Sequence, residues 1–476
     1  MKNNLSKFII LAAFILGAFP VGTMTALLTP LGQSPDEPAH VARAAGLLRG
    51  AVLGVRKTLA DEKTGAPVQK TGVEVDNGLF RASFGAYTEI ENRPVVTEQD
   101  FLATRAQLPD HKNFFVNIPN TAAYFPVAYT PATLGMAIGL MLKLSPFSCL
   151  MLARFFMLGA FLILGFLALW IAAFGEAVLL VVLLMPMTLF LAGTVNQDAV
   201  LIALVCLACA ALTRHSRGFR LLGLVVLVLF LGSKPPYILL LGMFLLPLCK
   251  EGFWLRVREI VIACVPVLLW VVLISLFVII PFKKGMYHPG VLYPGDRNIW
   301  MNQTSPAINL HILLAKPSRF FTLPWHTILL WHNQFLDQMV GVLGLLQIML
   351  PQSYYMLWGG ALVSSLAGLV FCARPEQGKP CKPLADSLWV GFLLLSTYWL
   401  IMISFYLSWT NVGLDIIDGM QGRYSLPLLP FLMFLFPSWR GRFQLPPLLP
   451  ALPAIMLGVY DVGYIPMKLV CNYYLH

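Results

Sequence analysis

The stretch AVLLVVLLMPMTLFLAGTVNQDAVLIALVCLACAALT, residues 177–213, is two apolar runs joined at Asn196-Gln197-Asp198. The first run has the length of a membrane span, and neither run alternates apolar with polar residues as a barrel strand would. Backbone in lipid must satisfy its own hydrogen bonds, so runs of this kind are helices. Comparable runs recur outward in both directions. Of the 476 residues, 58% are hydrophobic and 12% charged, with mean hydropathy +0.75. A soluble domain carries about 25% charged residues. Composition therefore excludes a soluble enzyme, a disordered chain and a nucleic-acid module, and the expected fold is an all-α polytopic membrane protein. The net charge of +11 comes from Lys and Arg in short connections between apolar runs, which reports topology rather than a polyanionic partner.

Five segments follow. Residues 1–30 read as a retained first transmembrane helix. Residues 31–147 read as a first extracytoplasmic loop with juxtamembrane helices; its 31–120 part holds 11 of the 22 acids. Residues 148–281 are transmembrane helices, 282–350 a second extracytoplasmic loop, and 351–476 the C-terminal transmembrane helices. The segment 121–145, with Pro126 and Pro131, is expected at the interface. That choice keeps the basic connections 214–220, 250–258, 374–382 and 440–442 on the inside and gives about eleven spans. The eight cysteines form no framework: 31–120 and 282–340 contain none, and Cys206 and Cys209 lie within an apolar run.

The conspicuous polar groups then share the outer face. In Ser34-Pro35-Asp36-Glu37-Pro38-Ala39-His40, Asp36 and His40 can share one face of a helical turn. A carboxylate there suits a general base or a divalent cation, while Ser34 with Glu37 also fits a capping box. Asp198 is costly between apolar runs unless paired, and it equally suits a helix cap. Lys234, in Lys234-Pro235-Pro236-Tyr237, and Arg423, in Gln421-Gly422-Arg423-Tyr424, are outer cations suited to phosphate. Snorkelling of Lys234, or a bridge from Arg423 to Asp418, would explain them without a ligand. The second loop supplies Tyr293, Asp296, Arg297, Trp300, Trp325, His326, Trp331 and His332, a mix of rings and hydrogen-bonders that suits carbohydrate. The spacing of His326 and His332 is poor for a metal. The chain carries no Walker A, no GxGxxG after a strand, no HExxH and no GxSxG, so a donor must come from the outer face or the membrane, which favours a lipid-linked one.

PDEPAH at 35–40, NQDA at 196–199, KPPY at 234–237 and QGRYSLPLLP at 421–430 occur in order. Together they resemble the bacterial predicted membrane proteins of family DUF2142, which in turn resemble the GT-C membrane glycosyltransferases that use polyprenyl-phosphate sugars. The resemblance implies a GT-C-like fold and Asp36, or else Glu37, as the catalytic carboxylate. Asp198 matches the second outer acid. His40, Lys234, Tyr237, Asp296, Arg297, Gln421, Arg423 and Tyr424 are the expected substrate contacts, Lys234 and Arg423 being assigned to phosphate from their charge. The expected activity is inverting transfer of a hexose from undecaprenyl-phosphate to a surface polysaccharide, O-antigen of lipopolysaccharide or a wall glycan. It would take place on the extracytoplasmic face of the bacterial inner membrane, with membrane lipids and no nucleic acid as partners. No cofactor is expected beyond a divalent cation held by the carboxylates. A flippase of lipid-linked sugars or a non-catalytic assembly scaffold are the alternatives.

Overall fold

The computed structural model describes residues 2–60, 67–84, 96–110, 112–248, 251–279, 304–371, 384–436, 446 and 448–475. The chain enters through α1 (Lys2–Leu28) and turns into α2 (Glu37–Leu47), which carries Pro38 in its first turn. A small antiparallel sheet follows, β1 (Val55–Ala60) and β2 (Pro67–Asp76), then α3 (Asn77–Phe84) and α4 (Glu98–Arg105), and β3 (Asn113–Asn117) completes the order β1-β2-β3. The fold is mostly helical, as expected, and this three-stranded sheet is the departure from an all-α reading. The signal is the alternation in Val73-Glu74-Val75: both valines are buried, Val73 sits opposite Val116 in the ladder, and period two is the mark of a half-buried strand. Val73 also packs on Gly46 of α2, where an added Cβ would lie 2.9 Å from it, so the sheet is keyed to the helix that follows Asp36.

Two short 3₁₀ turns at Thr121–Ala123 and Pro126–Tyr129 lead to α5 (Thr130–Met141). At 12 residues α5 is about 18 Å long, short of the ~30 Å hydrocarbon layer. Then come α6 (Pro146–Ile171), α7 (Glu176–Leu184), α8 (Pro186–Ala192), α9 (Gln197–Leu212) and α10 (Arg217–Ser233). Every residue of α9 is buried, as an all-round apolar helix requires, so it forms the centre of the bundle. Pro186 interrupts the run before it, and α8 meets α9 at a bend of 119° whose corner holds Asn196.

The motifs KPPY and QGRY each open a long 3₁₀ helix, Pro235–Leu245 and Gly422–Phe434. Proline nitrogens at 235, 236, 427 and 430 cannot donate to the α ladder, which favours the tighter winding. Between them lie α11 (Phe253–Ile274, continued as a π segment to Ile279), α12 (Pro306–Ala315), α13 (Arg319–Val340), α14 (Gln352–Phe371) and α15 (Leu384–Ser408). Within the expected second loop, the described part is therefore largely the two helices α12 and α13. The chain closes with α16 (Leu452–Tyr473).

Among the described residues, six helices are long and apolar enough to cross a membrane, or seven if α8 and α9 count as one bent span. The other apolar runs form shorter or 3₁₀ elements. α1 and α16 finish at the same end of the bundle: Tyr474 donates to the Leu28 carbonyl (3.0 Å) and Tyr473 to that of Gln33 (3.3 Å). At the opposite end Lys7 donates to Ala172 (2.9 Å) and Arg214 to Ile171 (2.5 Å), closing the last carbonyls of α6. Arg220 pairs there with Glu259.

Candidate functional site

Four segments distant in sequence meet at the α1/α16 exit end. Asp36 precedes α2 in the left-handed region, φ 60° and ψ 13°. A non-glycine residue tolerates this conformation at some cost, Asp and Asn most readily. Its carboxylate stays 62% exposed and accepts from Arg423, Nη2 to Oδ2 3.1 Å, whose own side chain is 2% exposed. The other Arg423 terminal nitrogen faces Asp198 at 3.9 Å. Asp198 in turn holds Lys234, Nζ to Oδ1 2.9 Å. Asp36 and Asp198 thus share one guanidinium, and the lysine neutralises the inner acid.

Tyrosine rings line the cations. Lys234 Nζ lies 5.4 Å from the Tyr124 ring centre and 5.0 Å from that of Tyr424. Such contacts recover part of what an ammonium loses on leaving water. Tyr237 donates to the Tyr424 carbonyl (2.6 Å), and the Tyr424 ring stacks on Phe405 at 5.1 Å. Gly422 admits no side chain: an added Cβ would sit 1.8 Å from the Phe335 carbonyl, and its N–H donates to Gln338 (2.9 Å). This close approach seats the adjacent Arg423 against α13. Gln421 is half buried; its carbonyl accepts from Tyr424 N–H. His40 lies one turn beyond Asp36, buried, with Nδ1 2.6 Å from the Tyr129 hydroxyl. Burial lowers its pKa to about 4, outweighing the pull of Asp36 and Asp198, so the ring is neutral. Burial likewise pushes the Tyr124 hydroxyl up to about 12.

Several expectations change. Ser34 and Glu37 form no capping box: Ser34 Oγ donates to Thr194 Oγ1 (3.1 Å), and Glu37 turns inward, 1% exposed, into a two-bond pair with Arg154, 2.8 and 2.7 Å. Of the two expected carboxylates, Glu37 is enclosed by protein and Asp36 faces out. The cap of α9 is Asn196, whose side chain accepts from Asp198 N–H (2.8 Å), leaving Asp198 for the cations. Arg423 bridges to Asp36 and not to Asp418. Trp325, His326, Trp331 and His332 lie along α13 rather than in a loop. Asp296 and Arg297, with the rest of 280–303, lie outside the described residues, as do the basic residues of 374–382 and 440–442. Among the described residues no group of three or more His, Cys, Asp or Glu could hold a metal ion.

Arg154 and Tyr124 escaped the sequence reading. The signal for Arg154 was present: a lone arginine inside the apolar run of α6 demands a partner. Tyr124 sits in a segment whose prolines drew attention to topology instead of chemistry.

A family model described as predicted membrane protein (DUF2142) matches residues 19–432, a span that holds all four converging motifs. No curated protein and no solved structure matches the chain.

Proposed function

We propose that this chain, which belongs to the DUF2142 family of predicted membrane proteins, is a membrane glycosyltransferase of the GT-C type. It takes a hexose from undecaprenyl-phosphate on the extracytoplasmic face of the bacterial inner membrane and passes it to a surface polysaccharide, O-antigen or wall glycan. Asp36 is the general base. The acceptor hydroxyl loses its proton to Asp36 as its oxygen bonds to the anomeric carbon. The bond from that carbon to the phosphate oxygen breaks, inverting the centre and releasing the polyprenyl phosphate.

The observation that carries this reading is Arg423 lying between an exposed carboxylate and a buried one. During transfer Asp36 becomes neutral while the phosphate gains a negative charge. Negative charge therefore moves across the site, and a guanidinium beside Asp36 stabilises it at its destination. Such a preorganised cation is usually the largest catalytic contribution. Lys234 supports the arrangement by neutralising Asp198.

The eleven-span topology belongs to the same proposal. α7–α8, α9, α10 and the two 3₁₀ helices complete the set. A 3₁₀ helix rises about 2.0 Å per residue, so the 13 residues of Gly422–Phe434 extend about 26 Å, nearly a bilayer core. The parallel α1 and α16 support an odd number of crossings. The basic residues at the end opposite Asp36 support placing that end inside.

The test is the purified protein in lipid nanodiscs with undecaprenyl-phosphate hexose and a polysaccharide acceptor. Labelled hexose should enter the polymer with stoichiometric release of polyprenyl phosphate. Movement of the intact donor across a bilayer without bond cleavage would support the flippase alternative, and neither result would leave an assembly scaffold.

A further inference from the structure

The loops that carry Asp36 and Asp198 are fastened to each other around one buried ion pair, Glu37 with Arg154. Arg154, fully buried on α6, donates five hydrogen bonds. Nε and Nη2 go to the two oxygens of Glu37, Nη1 to the carbonyls of Ala26 (2.9 Å) and Thr29 (2.6 Å), and Nη2 also to Pro30 (3.2 Å). Three of these acceptors are carbonyls at and just beyond the end of α1, so the guanidinium stops that helix and starts the turn toward Asp36.

Glu37 completes the link on its other side. Its carboxylate accepts from Gly32 N–H (3.0 Å) within its own loop and from Val195 N–H (3.0 Å) in the loop that carries Asp198. Two further contacts join the same loops: Ser34 Oγ to Thr194 Oγ1 (3.1 Å) and Asn196 Nδ2 to the Pro35 carbonyl (3.0 Å). The segment before α2 is thus fastened on both sides of Asp36, while the exposed Asp36 carboxylate is held by Arg423. The left-handed backbone at Asp36 is conformationally costly, and this frame is what holds it.

We propose that Arg154, acting through Glu37, is a positioning residue that sets the separation of the Asp36 and Asp198 carboxylates across Arg423. The proposal rests on the transferase reading above. Displacing a reacting group by about 1 Å can cost 10²-fold in rate. A lysine at 154 keeps the charge but cannot serve two carboxylate oxygens and three carbonyls at once.

The experiment is steady-state transfer by the full-length protein in nanodiscs, varying undecaprenyl-phosphate hexose at fixed acceptor, for wild type, Arg154→Lys, Ser34→Ala and Arg220→Lys. Arg220 is a buried arginine at the opposite end of the bundle and controls for loss of a buried guanidinium. Expected is a fall in kcat of about 30- to 100-fold in Arg154→Lys with the donor KM within about threefold. Ser34→Ala, which removes one inter-loop bond and buries no unpaired charge, should lower kcat about three- to tenfold. Arg220→Lys should match wild type. A folded Arg154→Lys with undiminished kcat, or one altered only in KM, overturns the proposal. Should Arg154→Lys not fold, undiminished kcat in Ser34→Ala overturns it. Absence of transfer by wild type in the same assay refutes the transferase reading instead.

Discussion

Arg423 and Asp36, 387 residues apart in sequence, are joined by a 3.1 Å contact between a buried guanidinium and an exposed carboxylate. The asymmetry matters. Opening the pair leaves the Asp36 carboxylate hydrated, because its side chain is already 62% exposed. Arg423, by contrast, cannot leave its site without a new anion. In the proposed transferase a donor phosphate beside Arg423 would be that anion, and its arrival would free Asp36 for the acceptor.

Asp36→Asn is expected to lower transfer by about 10²- to 10⁴-fold, the worth of general base assistance. Asparagine tolerates the left-handed region as aspartate does, so the backbone at 36 should be kept, and Asp198 at 3.9 Å stays as an anionic neighbour of Arg423; the melting temperature reports whether the variant is folded. Transfer within a few-fold of wild type by the folded variant would remove Asp36 from the base role.

Glu37→Gln should act on folding before chemistry. Both partners of the Glu37–Arg154 pair are 1% exposed, and removing one charge strands the other, at about 3–5 kcal/mol. The expected result is a large loss of folded protein, seen as detergent-solubilised yield and melting temperature. Adding Arg154→Met should recover part of it, since the stranded charge is then gone. A normally folded Glu37→Gln whose transfer falls well beyond the roughly 10²-fold that misplacing Asp36 explains, with Asp36→Asn near normal, would give the base role to Glu37.

Lys234 and Asp198 should behave as a coupled pair. Lys234→Met alone leaves Asp198 beside a single cation, whereas Lys234→Met with Asp198→Asn removes both charges. Stabilities measured around the double-mutant cycle should give a coupling of about 0.5–3 kcal/mol. Additive effects would mean that Lys234 is not held by Asp198.

What could be read in the sequence follows from which interactions are local. The helical class was legible because lipid allows few alternatives, and the four motifs were legible because polar residues at the ends of apolar runs require a reason. Their pairing was not: Arg423 had Asp418 nearby in sequence, yet it reaches Asp36 through the fold. Glu37 had Ser34 three residues away and turned instead to Arg154, 117 residues on. The sheet was missed because β1 and β3 are short, at six and five residues, and in the ten-residue β2 only Val73 and Val75 carry the alternation. The winding of 235–245 and 422–434 depends on prolines and on packing against α15 and α13, which no periodicity reports.

Burial of His40 makes the folded protein sensitive to acid. The ring is 4% exposed, and its pKa lies near 4 against an ordinary 6.5, chiefly through burial. Asp36 and Asp198 act to raise it, while Arg423 and Lys234 act to lower it. A histidine whose folded pKa lies below its unfolded value binds fewer protons folded than unfolded across the interval between them. Stability then rises with pH through that interval and is lost as pH falls from 6.5 toward 4. The full difference amounts to about 3 kcal/mol, reached near pH 4. His40→Asn keeps a hydrogen-bonding group for Tyr129 and removes the titration. Melting temperatures of wild type and variant in the same nanodiscs, measured from pH 8 to pH 4, should run parallel above about pH 7. Below that, wild type should fall more steeply. Carboxylates that titrate in the same range are common to both proteins and cancel in the comparison. Parallel curves down to pH 4 would mean that His40 takes up its proton in the folded protein, and the neutral, buried ring beside Asp36 would have to be abandoned.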